Sequence, residues 1–377
     1  MEYLLGIGII LISTLVFGYL FSRLGLPTVV GQIIAGIIIG PAILNLIHIN
    51  NLITVAANIG IVLLMFLAGL ECDFNQVKKH LKSATVVATC GVILPMLVFP
   101  VLGILLHQGF KDALFWGVIF SATSVSISVA VLQEYGKLKT TAGALILGAA
   151  VVDDVASILL LSIFSSLFGS QADNPFLVIG IQLTYFLFIF VMIKWIVPHL
   201  IKLVSLFNDE ISLSVTGIII CFLMAYLAEE AHLSSVLGAF FAGIAISLTP
   251  AKEKITHSMT VIGYSLFIPI FFVSVGLELK LIESWSGWLI VIIMTILAIL
   301  TKWIGCGLGA KLCGFNWQNG NIVGSGMVSR GEMSLIIAQI GLSSQLLSSG
   351  LYSEIVFVII LTTIVSPLML KWSINQK

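Results

Sequence analysis

Gly31-Gln-Ile-Ile-Ala35-Gly36-Ile37-Ile-Ile39 and Gly238-Ala-Phe-Phe-Ala242-Gly243-Ile244-Ala-Ile246 are two copies of one pattern. Their Gly, Ala, Gly, Ile and Ile fall in register at an offset of 207. The same offset carries Gly69-Leu70-Glu71 onto Gly276-Leu277-Glu278, and Gly117 onto Gly324. Each copy lies inside a long apolar run. Across the 377 residues, 59% are hydrophobic and only 9% charged, with a mean hydropathy of +1.18. A soluble domain carries about 25% charged residues, so this chain lacks the polar groups to solvate a globular surface. That excludes a soluble enzyme, a nucleic-acid binder and a disordered chain. The unbroken runs call for α-helical membrane spans, since a barrel would show ~10-residue segments of alternating polarity.

Thirteen such runs are legible, near 3–21, 28–47, 52–70, 84–106, 113–133, 140–168, 176–200, 211–228, 233–250, 259–277, 287–310, 320–345 and 352–372. The chain is therefore expected to be an all-α polytopic membrane protein of about 13 transmembrane helices, a single membrane unit over residues 1–377. The first run lacks a basic n-region and reads as a retained span, not a cleaved signal. With the N-terminus outside, inner loops and ends hold thirteen Lys and Arg, from Arg23 and Lys78 to Lys371 and Lys377. The outer loops hold only Lys111 and Lys280. By the positive-inside rule this gives N-out/C-in in a cell membrane.

The offset maps span 2 onto span 9, span 3 onto span 10 and span 5 onto span 12. Mates seven spans apart cross the membrane in opposite directions, so spans 2–6 and 9–13 form two inverted five-helix repeats. Secondary transporters are recurrently built this way, with the substrate site near the midplane between the repeats.

Chemistry concentrates in four places. Asp153 and Asp154 lie in Ala149-Ala-Val-Val-Asp-Asp-Val-Ala-Ser157, roughly 20 Å from the inner start of span 6 at 1.5 Å per residue. A charge that deep costs ~2.5–3.5 kcal/mol on the insertion scale, which two neutral residues would avoid. Adjacent helical residues point about 100° apart, so one carboxylate can face a cavity while the other meets a neighbouring helix. Lys302, fifteen residues into span 11, is the only lysine at such depth and is the expected ion-pair partner of one of them. A buried lysine whose carboxylate takes up a cation can give up its proton. Span 5 carries Ser121, Thr123, Ser124, Ser126 and Ser128 at mid-depth. Its mate, span 12, carries Gly324, Gly326, Ser329, Arg330, Gly331 and Glu332 there. Hydroxyls, glycines and charges at matching depth predict two discontinuous helices whose free carbonyls and amides line a cation site. Arg330 and Glu332 supply counter-charge to the half-helix ends.

Other features say less. Cys72, Cys90, Cys221, Cys306 and Cys313 show no metal-ligand spacing and read as buried thiols. Glu71 and Glu278 read as helix-end or funnel charges, and the zero net charge points to no polyanionic partner. No cofactor is expected beyond the transported ions.

Taken together, Leu26-Pro27 leading into Gly31–Pro41, the Phe66-Leu-Ala-Gly69-Leu70-Glu71 end of span 3, Asp153-Asp154 and Lys302 resemble bacterial monovalent cation/proton antiporters, and within them the thirteen-span NapA-like Na⁺/H⁺ antiporters. The resemblance covers essentially the whole chain. It implies the NhaA/NapA-like fold with two crossing broken helices, and a homodimer in the bilayer. A dimer domain would span about 1–82 and 209–282, a mobile core about 83–170 and 283–377, with a linker helix at about 175–205. It implies that Asp154 is the main cation and proton site and that Asp153 pairs with Lys302. Na⁺ would then bind at Asp154, Asp153 and Thr123, with Ser124, Ser126 and Ser329 lining the broken helices. It further implies electrogenic Na⁺ (or Li⁺) exchange for H⁺ by alternating access. A K⁺/H⁺ antiporter or K⁺-efflux protein of the same fold stays open. The related glutathione-gated systems carry a cytosolic nucleotide-binding domain after the membrane part, and no soluble regulatory domain is expected here.

Overall fold

The computed structural model describes residues 2–24, 26–71, 74–168, 175–206, 210–279, 285–343 and 346–376. Among these residues seventeen α-helices follow in order. The first half holds α1 (Glu2–Arg23), α2 (Thr28–Ile39), α3 (Asn51–Glu71), α4 (Phe74–Leu105), α5 (Phe110–Ser121), α6 (Val125–Glu134) and α7 (Thr141–Phe168). Next come α8 (Pro175–Val191) and α9 (Val197–Ser205), joined by a π-helical turn at Met192–Ile196. The second half holds α10 (Glu210–Glu230), α11 (Ser235–Ser247), α12 (Lys252–Ile262), α13 (Ile268–Leu277), α14 (Trp285–Leu312), α15 (Trp317–Gly326), α16 (Glu332–Ser343) and α17 (Ser349–Asn375). A second π turn, Gly263–Phe267, joins α12 to α13. Among the described residues ten helical spans are long and apolar enough to cross a membrane. Leucines, isoleucines and phenylalanines stand exposed along their outer faces. In water this surface would be untenable; in lipid it is the required solvent contact, and the protein is a multi-pass membrane protein.

Besides the two π turns, three runs lose helix altogether over part of their length. The run at 28–47 is helical only over Thr28–Ile39, after which Gly40 turns to an extended backbone and the chain proceeds without helix to Asn50. Pro41 cannot continue the ladder. Runs 5 and 12 are each broken in the middle. α5 ends at Ser121 and α6 begins at Val125; α15 ends at Gly326 and α16 begins at Glu332.

The helices pack in two groups. In one, α3 lies on α11, α2 on α13, α3 on α13, α1 on α2 and α10 on α11. In the other, α4 lies on α5, α7 and α14, and α14 on α15 and α17. The main contacts between the groups run from α6 to α3 and α2, and from α17 to α2.

Glycines set the closest approaches inside the first group. A Cβ at Gly36 would strike the Val273 carbonyl and Gly276, and one at Gly243 would strike the Phe66 carbonyl and Gly69. These two crossings exchange under the 207 offset, since 36 maps to 243 and 69 to 276. Two residues touch their own mates: Gly60 meets the Phe267 carbonyl, and Gly331 meets Ser124. Only a glycine lets backbones meet so closely in lipid. Gly243→Val should therefore cost about 1–3 kcal/mol through forced separation of α3 and α11, read as a lower midpoint of thermal unfolding in detergent.

Candidate cation and proton site

The site grows from the two broken helices. Where α5 stops, Ala122 takes an extended conformation, and Ser124 N–H donates to the Ser329 carbonyl at 2.8 Å. Ser329 Oγ returns a bond to the Ser124 carbonyl at 2.6 Å. The two breaks thus face each other and hold each other open. Hydroxyls satisfy the carbonyls that the broken ladders release. Ser128 Oγ donates to the Gly326 carbonyl, Ser366 Oγ to the Ser325 carbonyl at 3.0 Å, and Ser334 Oγ to the Ala122 carbonyl at 3.4 Å. Thr363 Oγ1 donates to the Arg330 carbonyl.

Arg330, fully buried, closes the end of α5. Its Nη2 and Nε donate to the Phe120 carbonyl at 3.0 and 3.3 Å, and its Nη1 to the Val328 carbonyl at 2.9 Å. The guanidinium also lies 5.5 Å from the centre of the Phe120 ring, which stacks on Phe99 at 4.1 Å. Arg330 thus lies at the C-terminal end of α5, where a cation offsets the negative end of the helix dipole. Glu332 opens α16, but its side chain lies outside the described residues. Arg330→Met should strand the Phe120 and Val328 carbonyls and lower stability by about 2–3 kcal/mol, a buried acceptor being worth ~1–3 kcal/mol. Thermal unfolding in detergent measures it, and Arg330→Lys should recover only part because a lysine lacks the fork.

Beside the crossing, the two aspartates part company. On α7, Asp153 points into the second group and its Oδ1 accepts from Lys302 Nζ on α14 at 3.0 Å, with residue exposures of 2% and 0%. Asp154, partly exposed, borders a narrow cavity with Val125, Leu147, Ala150 and Val151. Met65 of α3 and Val236, Leu237 and Phe240 of α11 complete the wall. Asp154 therefore looks out at the seam between the two helix groups, while Asp153 is locked inside one of them. Thr123, in the α5–α6 break, has its hydroxyl buried without a hydrogen-bond partner. An unsatisfied buried oxygen costs free energy, and a hard cation that prefers oxygen ligands would relieve it. Among the described residues no cluster of three His, Cys, Asp or Glu side chains could hold a resident metal.

Of the sequence-derived site residues, Asp153 pairs with Lys302, Ser124 bonds Ser329 across the crossing, Ser126 Oγ lies 2.9 Å from Ser124 Oγ, and Arg330 bonds the main-chain carbonyls of Phe120 and Val328. Ser334, Thr363 and Ser366, which also sew the crossing, were not singled out. Their only signal is a polar residue at mid-depth in spans 12 and 13, a weak one because serine and threonine commonly bond their own helix. Glu71 accepts from Gln133 at 3.3 Å. Glu278 lines a crevice of about 560 Å³ with His48, Tyr352 and Ser353, and burial pushes its carboxyl up to about 7. Cys90, Cys221, Cys306 and Cys313 are free thiols, and Cys72 lies outside the described residues.

Two crossed, interrupted helices beside a buried acid–lysine pair and a seam-facing acid define an ion-coupled membrane transporter. Comparison with known proteins narrows this. The family profile "Sodium/hydrogen exchanger, transmembrane" matches residues 10–376, and the chain belongs to that family. It is 43% identical over 376 residues to a Na⁺/H⁺ antiporter of Enterococcus hirae, covering 99% of this chain and 98% of the relative. It is 41% identical over 377 residues to the Na⁺/H⁺-K⁺ antiporter GerN of Bacillus cereus, covering 100% of this chain and 97% of that one. Among solved structures, the sodium proton antiporter MjNhaP1 of Methanocaldococcus jannaschii superposes with TM-scores of 0.65 and 0.75 in two structures. They share 13% and 15% identity with this chain, cover 100% and 99% of it, and are themselves covered to 99% and 96%. At that identity the likeness speaks to the fold.

Proposed function

We propose that the protein exchanges Na⁺ or Li⁺ for H⁺ across the cell membrane by alternating access, with net movement of charge. One observation carries the reading: adjacent carboxylates are divided between a buried lysine and the seam of two helix groups. In this account a proton and a cation compete for Asp154. The cation displaces the proton and takes oxygens from Asp154, Thr123 and the carbonyls of the breaks. Asp153 turns from Lys302 to join them, and Lys302 gives up its proton. Two protons then leave for each cation that enters, which makes the cycle electrogenic.

The group of α1–α3 and α10–α13 is proposed as the dimer domain of a homodimer, the group of α4–α7 and α14–α17 as the moving core, and α8–α9 as the linker. Paired contacts at Gly36–Gly276 and Gly69–Gly243, and self-mated contacts at Gly60–Phe267 and Ser124–Gly331, support the inverted repeat and the thirteen-span topology. The lysine bias supports N-out/C-in. A second reading, K⁺/H⁺ exchange, is favoured by the relative named as a Na⁺/H⁺-K⁺ antiporter. Everted membrane vesicles holding an acid interior separate them: addition of Na⁺ or Li⁺ should collapse the pH gradient at concentrations where K⁺ does not. A response to K⁺ alone would establish the second reading, and no response to any of them would refute exchange.

A further inference from the structure

The two helix groups are joined by a small polar cluster at the far end of α6. Glu134, the last residue of α6, accepts from Thr28 N–H at 3.0 and 3.3 Å and from Thr28 Oγ1 at 2.8 Å. Thr28 is the first residue of α2, whose N-cap Pro27 provides no side-chain bond. A carboxylate at the C-terminus of its own helix is disfavoured by the dipole, and one at a helix N-terminus is favoured. Glu134 is thus badly placed for α6 and well placed for α2. Next to it, Gln133 Nε2 donates to Glu71 Oε2 at 3.3 Å, while Gln133 Oε1 accepts from Tyr264 Oη at 3.0 Å. Tyr264 lies in the π turn before α13, an element form that often marks functional positions. Every one of these bonds runs from α6 to the other helix group.

At its near end α6 is part of the ion site. It begins immediately after Ser124, and its Ser128 holds the Gly326 carbonyl at the end of α15. Ten residues make a rigid rod of about 15 Å, so a shift of the hydroxyl-lined break is felt at Glu134. On the opposite side of the seam lies the crevice lined by Pro41, His48, Glu278 and Tyr352. Polar bonds bridge the two groups at the Glu134 end, and a crevice lies by Glu278.

Resting on the alternating-access reading, we infer that Glu134 and Gln133 are positioning residues of the exchange cycle: they latch α6 to α2, α3 and Tyr264, close the mouth on that face, and must let go before the cation can leave there. The face is the one bearing Arg23, Lys137 and Lys139, cytoplasmic in the proposed orientation.

Two experiments test it. In reconstituted protein carrying Thr28→Cys and Glu134→Cys, oxidation should join the two thiols and stop Na⁺/H⁺ exchange, and reduction should restore it; wild type given the same treatment should be unaffected. Exchange that continues in the joined protein, or thiols that both react with maleimide yet never join, would overturn the latch. Separately, Glu134→Gln should lower the apparent KM for Na⁺ on the latch face and raise it on the other, each by about threefold or more, as expected when the occupied conformer shifts. Glu134→Asp should restore most of the asymmetry. Equal changes on both faces, or none, would mean that Glu134 is structural only. Absence of cation-dependent exchange in wild type would instead sink the transport reading itself, so the two failures are told apart.

Discussion

Asp154→Asn is expected to abolish exchange, leaving cation flux at the level of protein-free liposomes, while the protein still folds. The substitution keeps the side-chain volume and removes the one titratable group among the described residues that line the seam cavity. Met65, Val125, Val236 and Phe240 around it are apolar and offer no substitute ligand. Folding should persist because asparagine keeps the size and hydrogen-bonding capacity of the aspartate, while the Asp153–Lys302 pair and the Ser124–Ser329 bonds of the crossing are left in place. Elution as a single species in detergent with an unchanged unfolding midpoint checks the fold, and sodium-driven proton release checks the activity. Full exchange in this variant would move the site elsewhere.

Lys302→Gln is expected to act on both stability and charge movement. Lys302 and Asp153 are sealed from water on all sides. Removing one member of such a pair costs ~3–5 kcal/mol because the other is left buried and uncompensated. The unfolding midpoint should therefore fall well below that of wild type. Residual transport should also become electroneutral, since the second proton no longer has a carrier. An imposed potential, set with valinomycin and K⁺, should drive wild type, at roughly 2.3 kcal/mol per charge per 100 mV, and leave the variant unmoved. Unchanged potential-dependence would make the lysine structural, with the second proton carried by Asp153 or Glu332.

Much of this was legible because the membrane makes polar residues expensive. Asp153, Asp154, Lys302 and Arg330 stand out in apolar runs, where only function or a partner justifies them. Mismatched composition at one depth in two helices likewise announced the breaks, since hydroxyls and glycines cluster where the backbone must be satisfied in other ways. Helix ends were harder: the apolar run 28–47 continues past Ile39, because lipid solvates an apolar turn as readily as a helix, and only Gly40-Pro41 hints at the stop. The pairing of Asp153 with Lys302, as opposed to Asp154, came from family resemblance; spacing alone permits either. Least visible was the latch. Glu134 and Gln133 are ordinary polar residues at the end of a span, and their meaning lies in Thr28, Glu71 and Tyr264, which are 106, 62 and 131 positions away. No local pattern encodes contacts of that range.

The most direct test of the central claim is uptake of radioactive Na⁺ into proteoliposomes with an acid lumen, at clamped membrane potential. The account predicts that outward movement of protons drives Na⁺ inward above its equilibrium level, that Li⁺ competes, and that Asp154→Asn shows neither effect. Sodium uptake indifferent to the pH gradient, or undiminished in Asp154→Asn, would contradict it.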